Sequence, residues 1–282
     1  MKKSLLFGSI LLIAAFVLNS CEKKEGCTDP SATNYDSGAE KDDGSCEYPA
    51  AEGTMKLVFN PVVDGETMQM DKDYDLEGLK YQYTLFKFYI SNIELMDETG
   101  EWIPAPELHY LVEPDEDQNL KMEAFNVGTY TKIKFYIGVD PRYNTEEGEL
   151  AKMAGDYSLD HPLSSNNAMY WAWKPGYGFF KIEGKIDKDN NGSYAEDDDF
   201  IAMHAGLDPL YTMVERDINL NLGNNEEKSI KFNIDMERLY EGLDMTSDDT
   251  DQHPMGIQME DYQESTILMG NLNAAFGDPE IQ

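Results

Sequence analysis

The sequence predicts an all-β protein, an antiparallel β-sandwich with long loops and a short C-terminal helix. Three observations carry that prediction. Several runs alternate apolar and polar residues at period two, which marks strands with one buried face and one wet face. Helical periodicity is confined to two short stretches. A hydrophobic content of 41% with 17 tyrosines supplies a real core despite the high charge.

The elements follow in chain order. Residues 1–20 read as a secretory signal: Lys2 and Lys3, an apolar run from Leu5 to Leu18, then Ser20 before Cys21. Such a stretch is too short and wrongly flanked for a spanning helix. The tetrapeptide "LNSC" ending at Cys21 resembles a bacterial lipobox, so Cys21 is the expected lipidation site. Residues 21–52 read as a lipid-anchored tether, rich in turn residues such as Asp29, Pro30, Asp36, Asp43 and Gly44. Within it "GCTDPSATNYDSGAEKDDGSCEY" resembles a short module common on surface and secreted proteins of the Bacteroidetes.

With Cys21 assigned to lipid, Cys27 and Cys46 remain of the three cysteines. In an oxidising compartment that even pair is expected to form a disulfide, the alternatives being free thiols or a two-thiol metal site.

Residues 53–282 are read as one β-sandwich domain. In "YTKIKFYIGV" Ile133, Phe135, Ile137 and Val139 alternate with polar neighbours. "KSIKFNIDM" repeats the pattern with Ile230, Phe232, Ile234 and Met236, and "INLNL" with Ile218, Leu220 and Leu222. "YQYTLFKFYISNIEL" changes phase near Leu85–Phe86 and again near Ser91, which predicts bulges. Two helices are expected. One covers 145–155, capped by Thr145 and stopped at Gly155. The other covers "DYQESTILMGNLNAAFG", with Tyr262, Met269, Leu272 and Phe276 on one stripe and Gly277 as the stop.

Charge excludes some functions. Loss of residues 1–20 leaves 55 acidic against 20 basic side chains, a formal charge of −35. That argues against nucleic acid and against electrostatic docking on anionic lipid, leaving the lipid anchor as the membrane contact. No G-x-S-x-G elbow or phosphate-cradling glycine loop is present, so the protein is not expected to be an enzyme.

Two places bear chemistry. In "DKDNNGSYAEDDD" the residues Asp187, Asp189, Asn191, Gly192 and Asp198 take positions 1, 3, 5, 6 and 12 of an EF-hand-type loop. Hard oxygens at that spacing suit calcium, although Tyr194 replaces the usual aliphatic residue and the flanks read as strands. A solvated acidic hairpin is the plainer use. The second place is "MYWAWKPGYGFF", where Trp171 and Trp173 alternate on what reads as a strand near a sheet end. Only four histidines exist, His109, His161, His204 and His253, and none has local metal spacing. A site using them must be assembled from distant segments.

The runs "YQYTLFKFYISNIELM", "YTKIKFYIGV", "HPLSSNNAMYWAWKPGYGFFKIEGK", "FIAMHAG" and "GNLNAAF" resemble, in content and order, the MbnP-like family. The resemblance spans about residues 53–282, and "MYWAWKPGYGFFKIEG" is its most specific block. That family is named for association with methanobactin, a copper-scavenging compound. The resemblance implies an extracytoplasmic copper-binding β-sandwich. In characterised relatives a partner di-haem peroxidase oxidises a tryptophan to kynurenine, which joins histidines at the copper. Carried onto this chain, it points to Trp171 or Trp173 with His204, and more weakly to His161 and His253. With the lipobox at Cys21, the expected location is the outer membrane, as a lipoprotein facing the periplasm or the cell surface. Plain core packing is the competing use of the two indoles. The rival function is a calcium-stabilised surface binding or adhesion module for glycan or peptide.

Overall fold

The computed structural model describes residues 23–48, 50–76, 78–113, 119–144, 148–171, 176–194, 200–245 and 261–282. Cys21, Thr145, Trp173, Asp198 and His253 lie outside them. The chain forms two compact units, Met1–Ala50 and Ala51–Gln282.

In the first unit a two-residue parallel ladder joins β1 (Glu25–Gly26) to β2 (Lys41–Asp42). Cys27 and Cys46 form a disulfide with Cα atoms 4.8 Å apart. Apolar residues are scarce here, so side-chain oxygens cap the turns. Asp29 accepts from the backbone and hydroxyl of Ser31 and, through its other oxygen, from the Tyr48 hydroxyl at 2.8 Å. Asn34 bonds the backbone of Ser45 and Glu47.

The second unit is a sandwich of two sheets. The strands are β3 (Glu52–Val63), β4 (Glu66–Thr67), β5 (Asp73–Leu76), β6 (Leu79–Asp97), β7 (Trp102–Pro104), β8 (His109–Val112) and β9 (Asn119–Asn126). They continue with β10 (Gly128–Ile137), β11 (Gly178–Asp187), β12 (Phe200–Gly206), β13 (Thr212–Leu222), β14 (Glu227–Asp235) and β15 (Glu280–Ile281). The larger sheet runs β12-β11-β6-β10-β13, with β5, β7 and β8 also paired to β6. The smaller runs β15-β14-β3-β4, with β9 on β3. Every pair in both sheets is antiparallel except β14 with β3, which run parallel from Glu227↔Thr54 to Asp235↔Val62.

Alternation produces the core as expected. Ile133, Phe135, Ile137, Ile230, Phe232 and Ile234 are all fully buried. Phe59 and Phe232 from the small sheet meet Phe88 and Phe135 from the large one. Ring centroids lie 5.3–5.8 Å apart, in mostly edge-to-face contacts. Phe276, just after α3 (Asp261–Ala275), inserts into the same cluster 5.7 Å from Phe135.

Strand β6 carries both predicted bulges. Its pairing with β11 slips between Leu85 and Tyr83, and with β10 between Glu94 and Ser91. Asn92 at the second slip sits at φ 49°, and Gly184 opposite the first admits no side chain, since a Cβ would stand 2.4 Å from the Gln82 carbonyl. Between the bulges Phe86–Ser91 is buried without alternation, the pattern of a strand covered on both faces. Over Lys87 and Tyr89 that cover is the segment 154–171, and over Ser91 it is Tyr211.

Two helical expectations are modified. The described part of 145–155 is not an α-helix; it holds a turn at 148–150 and a single 3-10 turn, Ala154–Asp156. Gly148 touches the backbone, with a Cβ position only 2.6 Å from the Arg142 carbonyl, and Leu150 N–H bonds that same carbonyl. The chain therefore folds back on α1 (Pro141–Asn144). Helix α3 forms, and Met269 and Leu272 are buried. Its end is set by sheet pairing: Phe276 bridges Ile234, and Gly277 N–H bonds the Asn233 carbonyl.

Candidate functional site

The covering segment lies on the outer face of the large sheet and is pinned there by polar groups from beneath. Tyr89 donates to the Pro162 carbonyl at 2.7 Å and Tyr177 to that of Leu163 at 2.9 Å, their rings edge-on 5.9 Å apart. Lys87 donates to the Asn167 carbonyl at 2.8 Å and pairs with Glu113. These bonds satisfy the polar ends of side chains that the cover removes from water.

At the end of this segment Met169–Trp171 returns against Gly176–Gly178. Trp171 N–H bonds the Gly176 carbonyl at 2.8 Å, and Gly178 N–H bonds that of Met169 at 2.7 Å. The Trp171 indole then lies across a pair of glycines, Gly178 on β11 and its partner Gly206 on β12. A Cβ on Gly206 would stand 2.7 Å from Cη2 and 2.9 Å from Cζ3 of the indole; one on Gly178 would stand 3.3 Å from Cζ2. The two glycines are thus the floor of a slot that the indole fills.

His204 is two residues before Gly206 on β12, so it projects from the same face, about 7 Å along the strand. Its register partner is Lys181, which in turn pairs with Lys87 across β11 and β6. Glu183 neutralises the row: one carboxylate oxygen takes His204 Nε2 and Lys181 Nζ, each at 2.9 Å. Burial opposes ionisation of Glu183, but the Lys181 hydrogen bond, the Lys181 charge and His204 outweigh it and hold the carboxyl below its ordinary value. A carboxylate oxygen can only accept, so Nε2 carries a proton, and in the neutral ring the lone pair is on Nδ1. A carboxylate behind one imidazole nitrogen is the arrangement that orients metal-ligating histidines.

His161 lies elsewhere, in a cavity of about 160 Å³ that it shares with His109 on β8. His109 was not among the residues singled out as ligands, since a lone histidine beginning a strand carries no local signal. Tyr143 meets its ring edge-on at 5.0 Å, and Tyr157 stacks on His161 at 4.3 Å. Burial takes the His109 pKa down from its ordinary 6.5 to about 4, against the pull of Asp140. Burial also lowers His161, against Glu107 and Asp160. The adjoining Asp140 receives Arg142 Nε at 3.0 Å, Arg142 Nη2 at 2.7 Å and Asn92 Nδ2 at 2.8 Å. Burial works against that charge, but these bonds prevail and take its pKa to about 2.

The structure therefore places the Trp171 indole on Gly206, two residues along β12 from His204, and places His161 in one cavity with His109. Trp173 and His253 fall outside the described residues. Among the described residues no group of three or more His, Cys, Asp or Glu side chains is arranged to hold a metal ion. In the acidic loop Asp187 is fully buried, and its two carboxylate oxygens accept the N–H groups of Asn191 at 2.9 Å and Gly192 at 2.7 Å. Asp189 accepts from Asn191, and Asp198 falls outside the described residues. Sequence reading also missed Glu183 and the glycine slot. The one available signal was a glycine two residues after His204 in "HAG".

A sequence model of the MbnP family matches residues 52–259. The chain belongs to the MbnP family. No curated protein sequence matches it. Among solved structures, MbnP from Methylosinus trichosporium aligns with it at a TM-score of 0.46 and 15% identity, over 68% of this chain and 79% of that one.

Proposed function

We propose that this member of the MbnP family is an extracytoplasmic lipoprotein that binds copper beside Trp171, with His204 as its imidazole ligand and with no turnover of its own. The observation that carries the reading is the position of the Trp171 indole on Gly206, on the same face as His204 and its Glu183 partner. The donor chemistry fits. Imidazole suits copper in both oxidation states, and the Glu183 bond directs the Nδ1 lone pair away from the carboxylate. Lys181 is a cation close by, yet Glu183 binds it through the same oxygen and offsets its charge.

Membership in a methanobactin-associated family supports the copper assignment. Oxidation of Trp171 or Trp173 to kynurenine by a partner di-haem peroxidase would add an aryl amine that indole lacks. Cys21 would anchor the protein in the outer membrane through lipid. The test is copper titration of the purified protein and of a His204→Ala variant. Binding tighter than micromolar that weakens sharply in the variant supports the site. Micromolar or weaker binding indifferent to the substitution removes it.

A further inference from the structure

We propose that the cavity between β8, α1 and the covering segment binds a small carboxylate or oxyanion together with one proton. The cavity measures about 160 Å³ and is lined by Glu107, His109, Tyr143, Tyr157, His161 and Leu163 among others. At about 30 Å³ per water it takes several waters or a molecule of a few heavy atoms.

Hydrogen-bond direction decides what its walls offer. His109 Nε2 accepts the Asp140 N–H at 3.4 Å, so in the neutral ring the proton sits on Nδ1. His161 Nδ1 accepts the Leu163 N–H at 3.0 Å, so its proton sits on Nε2. The Tyr157 hydroxyl is buried with no protein partner. Three side chains that line one small space thus each carry an X–H group with no acceptor among the described residues, and an unmet buried hydroxyl is costly unless an acceptor arrives. A metal ion needs lone pairs where these rings present protons. An occupant rich in acceptor oxygen meets all three donors.

The proton follows from charge. The charged groups facing the two imidazoles are Asp140 and Arg142, already paired with each other, then Glu107, Asp160 and Lys152. Arg142 is taken by Asp140, and Lys152, 5.6 Å from the centre of the Tyr157 ring, is outnumbered by Glu107 and Asp160, so the surroundings are net negative before an anion arrives. A carboxylate entering beside Glu107 makes two acids at one site, and such a pair shares one proton taken from solvent. Binding then tightens as pH falls.

The probe is sodium acetate at constant ionic strength, read on the imidazole Cε1–H resonances of the intact protein. The chain has only four histidines, and a His109→Phe variant assigns one of the two expected to move. Acetate should shift His109 and His161 and leave His204 in place, with affinity rising up to tenfold per pH unit from pH 7 to 5.5. Tyr157→Phe should keep the fold and weaken acetate roughly fivefold. Glu107→Gln should flatten the pH dependence. Two results overturn the proposal: Zn²⁺ or Cu²⁺ moving both rings while acetate moves neither, or no probe moving them, which leaves a water-filled cavity.

Discussion

The indole of Trp171 rests on Gly206 so closely that a methyl group at that position would stand 2.7 Å from Cη2. Gly206→Ala should therefore displace the indole, and the Tyr177 carbonyl at 2.6 Å blocks the other escape. The expected cost is about 1–3 kcal/mol, as for other overpacked sites. It should appear as a lower melting temperature with altered tryptophan fluorescence. An unchanged melting point would show that the slot is looser than described.

Glu183→Gln tests the carboxylate behind His204. The side chain is a quarter exposed, so the fold should tolerate the change. An amide can offer His204 either an oxygen or an NH₂, so it no longer fixes the proton on Nε2. Copper affinity should fall about 10- to 100-fold. Equal affinity would show that Glu183 serves only to pair Lys181.

Stability should depend on pH through His109. Its pKa is about 4 when folded and near 6.5 when unfolded, so the unfolded chain binds more protons between those values. The His109 contribution to stability is then complete above pH 6.5 and is lost as pH falls toward 4, by on the order of 3 kcal/mol. Urea unfolding at pH 7.5 and pH 5, in buffers free of small carboxylates, should show about 2 kcal/mol of this loss. His109→Phe keeps a ring against Tyr143 and should shrink it. An identical pH slope in the variant would place the effect elsewhere.

The Cys27–Cys46 bridge closes a loop with a sequence separation of 19. Such loops contribute about 3 kcal/mol, and this unit has little apolar core beyond Cys27 and Ala32. Reduction should make residues 23–48 sensitive to limited proteolysis under otherwise native conditions. Persistent protection after reduction would mean that its Asp and Asn caps suffice.

Much of the sandwich was legible because alternation reports burial directly. Ile133–Phe135–Ile137 and Ile230–Phe232–Ile234 face inward as read, and the phase changes of "YQYTLFKFYISNIEL" are real bulges at Thr84 and Asn92. Alternation is silent about the direction of the neighbouring strand, so the parallel pairing of β14 with β3 had no local signal. The expected helix at 145–155 overlooked Gly148, whose close approach to the Arg142 carbonyl turns the chain back. The expectation that Trp171 and His204 share a site came only from a family resemblance. What the structure adds is Gly206 under the indole, at alternate spacing from His204, visible once the register of β11 and β12 is known. The His109–His161 cavity was not legible, because three separate segments build it.

The proposed copper site is tested most directly by pulsed electron paramagnetic resonance of the Cu²⁺-loaded protein, compared with the His204→Ala variant under the same loading. The account predicts imidazole nitrogen coupling in the native protein that disappears in the variant. The same coupling in both proteins would contradict it and place the copper on another histidine.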